Sequence, residues 1–232
     1  MNLSYIIPVY NEQRTLDKSI QDIIKLPIEK EIIIIDNGST DGSVDIIKKY
    51  QYEDNINIIY KQNNLGFGDS IQKGFDLAKG KYIFIQYADL EYDHLSSLSM
   101  LNLAFTGNLD VIFGSRLKNE KNILKILSKK PSYLATIICT FLINFFYKKK
   151  FTDIIGTKLY KKNSIKKILP KTKGQGFDFE LVSLICKNNL KIEETYVEYV
   201  PRANSTEKKI KFYHMFNALY AIFKIKYFYR IK

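Results

Sequence analysis

Lys81-Tyr-Ile-Phe-Ile-Gln-Tyr-Ala-Asp-Leu-Glu-Tyr-Asp93 is an apolar run that opens into an acidic loop. Tyr82 to Ile85 has the length and composition of a buried strand. Beyond it Asp89, Glu91 and Asp93 fall at every second position, and in extended chain such side chains point the same way. Three carboxylates on one side repel each other unless a cation sits among them, and hard oxygen donors suit Mg²⁺ or Mn²⁺. The same spacing also describes a solvated acidic turn whose last Asp caps the next helix.

The flanking sequence bears on that choice. Leu3 to Ile7, closed by Pro8, and Glu31 to Ile35 read as buried strands, as do Ile56 to Tyr60 and Asp110 to Phe113. Between them, Leu16, Ile20, Ile23 and Ile24, and later Ile71, Phe75 and Ala78, keep helical spacing. Asp41 or Thr40 can cap a helix over residues 43–50. Strands alternating with helices predict an α/β fold with a Rossmann-like, mostly parallel central sheet and helices on both faces. Ligands of such sheets sit at the carboxyl ends of the strands. Asp36, the Gly-rich loop Asn64-Leu-Gly-Phe-Gly68 and the Asp89/Glu91 loop all fall there. A dinucleotide fingerprint starting at Gly66 would need glycine at position 71, which is Ile71, and the loop follows the third strand instead of the first. That argues against a Rossmann dehydrogenase.

The chain has 232 residues, 46% of them hydrophobic, enough for one large domain with an appendage. Met1-Asn-Leu-Ser leads straight into a strand, so no secretory leader is expected. Cys139 and Cys186 lie in apolar helical contexts without metal-type spacing and read as reduced core residues. Charge is unevenly spread. Residues 1–114 carry 10 Lys and Arg against 16 Asp and Glu, and residues 115–232 carry 26 against 8. One half is therefore built to face an anionic partner. Nucleic acid is a poor candidate, because the basic residues interleave with long apolar runs and no nucleic-acid motif appears.

Two stretches point to a membrane surface. Residues 132–147 are nearly all apolar, with Ser132, Thr136, Thr140 and Asn144 as one narrow polar stripe. The run is shorter than the roughly 20 residues a span needs, and lysines flank it on both sides, against the one-sided bias of a span. A helix lying in the interface, covering about residues 123–147, fits better than a span or a core helix. The tail, residues 209–232, is an amphipathic helix with Phe212, Met215, Phe216, Leu219, Tyr220, Ile222 and Phe223 expected on one face.

Pro8-Val-Tyr-Asn-Glu12, Asp36-Asn-Gly-Ser-Thr-Asp-Gly-Ser43, Asn64-Leu-Gly66 and Ala88-Asp-Leu-Glu91 occur in the order seen in family 2 glycosyltransferases of the GT-A fold, which this chain resembles. Gly114-Ser-Arg116, Thr152-Asp153, residues 177–180 and Pro201-Arg202 are similar to the dolichol-phosphate mannosyltransferase subgroup. The resemblance implies a GT-A domain over residues 1–208, with a nucleotide-sugar half (1–114) and an acceptor half (115–208). It implies that Pro8, Tyr10, Asn11, Glu12, Asp36, Gly66, Ala88 and Asp89 bind a GDP- or UDP-linked donor, with Asp36 on the base. Asp89 and Glu91 would hold Mg²⁺ or Mn²⁺ on the diphosphate, Glu91 making up for the first carboxylate of the family's Asp-x-Asp, which is Tyr87 here. Lys158 would stand for a family Arg.

The implied reaction is inverting transfer of a hexose to a polyprenyl phosphate at the cytoplasmic face of the membrane, by a peripheral enzyme. A lipid phosphate is already ionised and needs cations, for which Ser115, Arg116, Lys129, Lys130, Arg202, Ser205, Lys208 and Lys209 are placed. The alternative acceptor is a sugar hydroxyl of a lipid-linked glycan, as in capsule or lipopolysaccharide assembly. It would need a general base, Asp178 or Glu180. A third reading is a degenerate, nucleotide-binding scaffold.

Overall fold

The computed structural model describes residues 1–120, 133–174, 176–201 and 214–229. In chain order these form β1 (Leu3–Val9), α1 (Leu16–Ile24), β2 (Lys30–Asp36), α2 (Ser43–Lys48), β3 (Ile56–Tyr60), α3 (Phe67–Leu77), β4 (Tyr82–Ile85) and α4 (Ser96–Thr106). There follow β5 (Val111–Ser115), α5 (Tyr133–Tyr147), β6 (Lys158–Lys161), α6 (Lys162–Lys166), α7 (Phe177–Lys187), β7 (Ile192–Tyr196) and α8 (His214–Tyr227).

The strands make one sheet in the order β3-β2-β1-β4-β6-β5-β7. The predicted mostly parallel sheet is thus present, and β6 alone runs against its neighbours β4 and β5. The isoleucine run of β2 shows why it is central. Ile32 and Ile34 enter one core, with Leu16 and Ile20 of α1, Ile47 of α2 and Met100 of α4. Ile33 and Ile35 enter the other, with Phe75 of α3, Cys139 of α5, Phe177 of α7 and Ile222 of α8. A strand with period-2 side chains can be apolar throughout only where both faces are covered. Both cysteines are buried and unpaired, as expected.

Pro8 sits in a central strand without disturbing it. The β1–β4 pairing ends at Ile6 and Ile85, and the Ile6 carbonyl accepts the Gln86 N–H beyond it. Pro8 turns the same way two residues on, past the end of β4, so its missing N–H removes no ladder bond. Neither Thr40 nor Asp41 is the N-cap of α2, which is Gly42, although the Asp41 carboxylate accepts the Ser43 N–H at 2.9 Å just ahead of the helix.

α5 reverses the usual order of an amphipathic helix. Its polar stripe faces inward: Thr140 Oγ1 accepts the Ile154 N–H, and Asn144 exchanges two bonds with the backbone of Phe151, at 2.8 and 2.9 Å. Its outward face is apolar, with Phe141 64% and Phe145 70% exposed and the two rings stacked. α8 packs beside it through Phe146, which meets Phe223 edge-on at 5.2 Å and Tyr227 at 6.0 Å. The expected apolar face of α8 is split. Ile222, with Ala218, Ala221 and Ile225, is buried on the domain, while Phe216, Tyr220, Phe223 and Tyr227 are turned outward. Lys187 of α7 donates to the carbonyls of Ile225, Lys226 and Tyr229, placing a cation on the negative end of α8. Among the described residues no helix is long and apolar enough to cross a membrane. The expected helical residues 123–132 and Phe212 lie outside the described residues.

Candidate active site

Because only β6 is reversed among the described strands, the loops after β1, β2, β3, β4, β5 and β7 open at one edge of the sheet. The start of β6 reaches the same edge. Of the residues singled out from sequence, Pro8, Tyr10, Asn11, Glu12, Asp36, Gly66, Ala88, Asp89, Glu91, Ser115 and Arg116 fall at that edge.

The expected donor side is built from three loops tied to one another. Asn11, held at φ 55°, accepts the Thr40 N–H on its side-chain oxygen at 2.8 Å, and its own N–H meets Ser39 Oγ at 3.0 Å. The Glu12 N–H donates to Ser43 Oγ at 2.9 Å. Buried Asp36 accepts the N–H groups of Gly38 and Ser39, which folds the chain back over the end of β2. Asn37 then links to the third loop, donating to Asn64 Oδ1 at 2.6 Å and accepting the Leu65 N–H. An open pocket of ≈ 340 Å³ lies beside this edge, lined by Asp36, Gly38, Thr40, Lys48, Tyr60 and Lys61 among others. Pro8, Tyr10, Asn11 and Glu12, in and after the end of β1, are half-buried, and Ala88 is buried in the acidic loop.

Gly66 also lies close to another part of the chain. Its φ is +100°, and a Cβ there would lie 2.4 Å from the Lys173 carbonyl. One close approach that glycine permits is to the 172–174 segment, which crosses α3's first turn. Lys173 secures the crossing by pairing with Asp69 at 3.1 Å, and its carbonyl accepts the Asp69 N–H.

The acidic loop makes a tight turn, with Leu90 at φ 59°. Asp89 Oδ1 accepts the Glu91 N–H at 3.1 Å, and Glu91 Oε2 accepts the Tyr199 hydroxyl at 2.7 Å. Asp93 accepts the Leu95 N–H and belongs to the turn ahead of α4. No cluster of three or more His, Cys, Asp or Glu that could hold an ion occurs among the described residues. Two neighbouring carboxylates are nonetheless the donor set that Mg²⁺ ordinarily takes from protein when substrate phosphates complete its shell. The residues present fit such an ion. Tyr87, in place of the family's first carboxylate, lies parallel to Phe67 at 5.8 Å and tilted against Tyr92 at 6.0 Å. Burial, with Asp178 and Asp89 adding to it, pushes its hydroxyl far above the usual tyrosine range, so it stays protonated.

Several residues expected on an acceptor side are already engaged within the chain. Ser115 is fully buried, sharing a 2.6 Å hydrogen bond with Thr152 and accepting the Leu117 N–H, so it shapes the loop and cannot meet a phosphate directly. Arg116 is not an open cation. Its Nε and Nη2 bond both oxygens of Asp153 at 2.6 and 3.1 Å, and its guanidinium stacks near the Tyr133 and Tyr199 rings at 5.0 and 5.2 Å. Burial works to raise the Asp153 carboxyl, but the Arg116 charge and the hydrogen bonds around it outweigh that and hold it below the usual range. Glu180 is committed on both oxygens, to Thr172 at 2.7 Å and Lys224 of α8 at 2.8 Å. Asp178 pairs with buried Lys158 at 2.8 Å. Arg202, Ser205, Lys129, Lys130, Lys208 and Lys209 lie outside the described residues.

Sequence reading missed Tyr199, Tyr92 and Tyr133 as partners of the acidic loop and of Arg116. The alternation after β7 carried the signal, since Val197 and Tyr199 fall on one face and Tyr199 thereby turns toward the loop.

With this geometry in place, comparison with known proteins is decisive. The profile of Glycosyl transferase family 2 matches residues 4–169. The chain belongs to that family. It is 31% identical over 221 residues to an uncharacterised protein of Methanocaldococcus jannaschii, covering 88% of this chain and 93% of that one. It is 28% identical over 218 residues to a dolichyl-phosphate beta-glucosyltransferase of Dictyostelium discoideum, covering 85% of this chain and 66% of that one. Glucosyl-3-phosphoglycerate synthase of Mycobacterium tuberculosis, solved with Mn²⁺, UDP-glucose and phosphoglyceric acid, superposes with a TM-score of 0.69 over 97% of this chain and 79% of that one, at 12% identity. The fold is accordingly GT-A, and the chain is a glycosyltransferase by family.

Proposed function

We propose that this family 2 glycosyltransferase moves a hexose, with inversion, from a nucleotide sugar to a polyprenyl phosphate, working as a peripheral protein on the cytoplasmic face of a membrane. The observation that carries the reading is the outward aromatic face shared by α5 and α8. A helix that turns its threonines and asparagine inward and its phenylalanines outward is matched to a hydrocarbon neighbour, and basic Lys148-Lys149-Lys150 borders it. The dolichyl-phosphate substrate in the name of the Dictyostelium relative supports the same acceptor class.

The donor half binds the nucleotide sugar at the Asp36 edge, beside the acidic loop. Asp89 and Glu91 would hold a divalent ion there, which supplies charge neutralisation for a departing nucleoside diphosphate. The chain's own contribution is orientation. The tied loops fix the pocket wall, and Tyr87, Phe67 and Phe177 make an apolar flank that excludes water from the reacting end. A phosphate nucleophile needs no proton removed, which agrees with both α7 carboxylates being held in ion pairs. Arg116, fixed by Asp153, places a positive charge beside the acidic loop.

The test is incubation of the full chain with UDP- and GDP-sugars, Mn²⁺, and either polyprenyl phosphate or glycan acceptors, with mass spectrometry of the products. Glycosylated polyprenyl phosphate is the expected product. Transfer confined to glycan hydroxyls would sink the reading.

A further inference from the structure

Tyr199 touches both halves of the site, and nothing in the reaction outlined above uses it. Its hydroxyl donates to Glu91 Oε2 at 2.7 Å. The backbone on either side is fixed to the same loop: the Val200 N–H donates to the Glu91 carbonyl at 2.8 Å, and Tyr92 and Tyr199 form an antiparallel bridge. The ring is held as well, tilted against Tyr92 at 5.0 Å and set 5.2 Å from the Arg116 guanidinium. Arg116 is itself anchored to fully buried Asp153. A phenol restrained at its backbone and on its ring can hold its partner in one orientation.

A carboxylate that binds a metal gains from being held. The last torsion of a glutamate is broad, so a carboxylate left to itself samples many planes and loses that freedom on binding an ion. Outer-shell hydrogen bonds remove the freedom in advance, and their loss typically weakens metal affinity about 10–100-fold. We propose that Tyr199 is a positioning residue: its hydroxyl fixes the Glu91 carboxylate for a divalent cation that binds together with the donor's diphosphate. The proposal rests on the metal-assisted reading of the site given above.

Tyr199→Phe keeps the ring, its stacking and the backbone bridge, and removes only the hydroxyl. The experiment is Mn²⁺ titration, followed by electron paramagnetic resonance, of the full chain with UDP and separately with GDP. The variants are Tyr199→Phe, Glu91→Ala, the double variant, and Asp89→Ala as the control that removes a ligand. Tyr199→Phe is expected to weaken Mn²⁺ about tenfold or more when Glu91 is present, and to change it little when Glu91 is already Ala. A structural staple acting elsewhere would lower affinity equally in both backgrounds, and that additivity would overturn the proposal, as would unchanged Mn²⁺ affinity in Tyr199→Phe. If the parent binds Mn²⁺ no better than Asp89→Ala with either nucleotide, the metal reading itself falls and takes this one with it. The parent's own titration thus separates the two failures.

Discussion

Replacing Phe141 and Phe145 together by serine tests whether the outward face of α5 meets a bilayer. Both rings are mostly in solvent, 64% and 70% exposed, so their loss removes little that holds the fold together. A phenylalanine can bury upwards of about 150 Å², so the exposed parts of the two rings offer roughly 200 Å² or more between them. If most of that area leaves water at about 25 cal/mol per Å², the pair contributes roughly 3–4 kcal/mol to membrane binding. That is a loss of about 100- to 1000-fold in partition coefficient for the double variant. The assay is flotation with vesicles containing anionic phospholipid, read alongside thermal unfolding in buffer, where the variant should match the parent within about 0.5 kcal/mol. Parent-like flotation by a properly folded double variant would refute the assignment of this face to lipid.

The buried pair gives a stability prediction. Asp153→Asn leaves Arg116 charged and unmatched at a site where Asp153 is fully buried, and should cost about 3–5 kcal/mol, read by urea unfolding. The pH dependence follows in sign: Asp153 is held low in the folded state, so its contribution is present above the unfolded carboxylate value and is lost as pH falls through the folded one, and Asp153→Asn should flatten that acid limb. Gly66→Ala adds a Cβ 2.4 Å from a carbonyl at a φ of +100°, and should destabilise by about 1–3 kcal/mol and loosen the 172–174 crossing, seen as faster hydrogen exchange at Asp69. Asp89→Ala should lower transfer at least about 100-fold at unchanged stability, since the residue is half-buried at the loop and the effect is on charge at the leaving group; parent-like turnover would remove Asp89 from the chemistry.

The donor half was legible because its signals are local. The isoleucine run of β2 announces a strand covered on both faces, and Asp36, Asn64 and Asp89 each stand at a strand end that alternation alone can locate. The acceptor half was less so, because its residues are defined by partners far away in sequence. Arg116 reads as an open cation until Asp153, 37 positions on, is seen to occupy it. Glu180 reads as a base until Lys224 arrives from α8. α5 gave its composition correctly, but which face turns inward depends on Phe151 and Ile154 offering backbone partners to its polar stripe. The reversed direction of β6 was not foreseeable from its four residues, since strand polarity is a property of the connection and not of the strand.

That reversed strand has a consequence for how such a protein can change over time. Running against its neighbours, β6 brings the 153–157 segment to the working edge between the acidic loop and Arg116, from a part of the chain that shares no backbone with the donor loops. A change between α5 and β6 can therefore reach the acidic loop through one chain of contacts, from Asp153 to Arg116 to Tyr199 to Glu91.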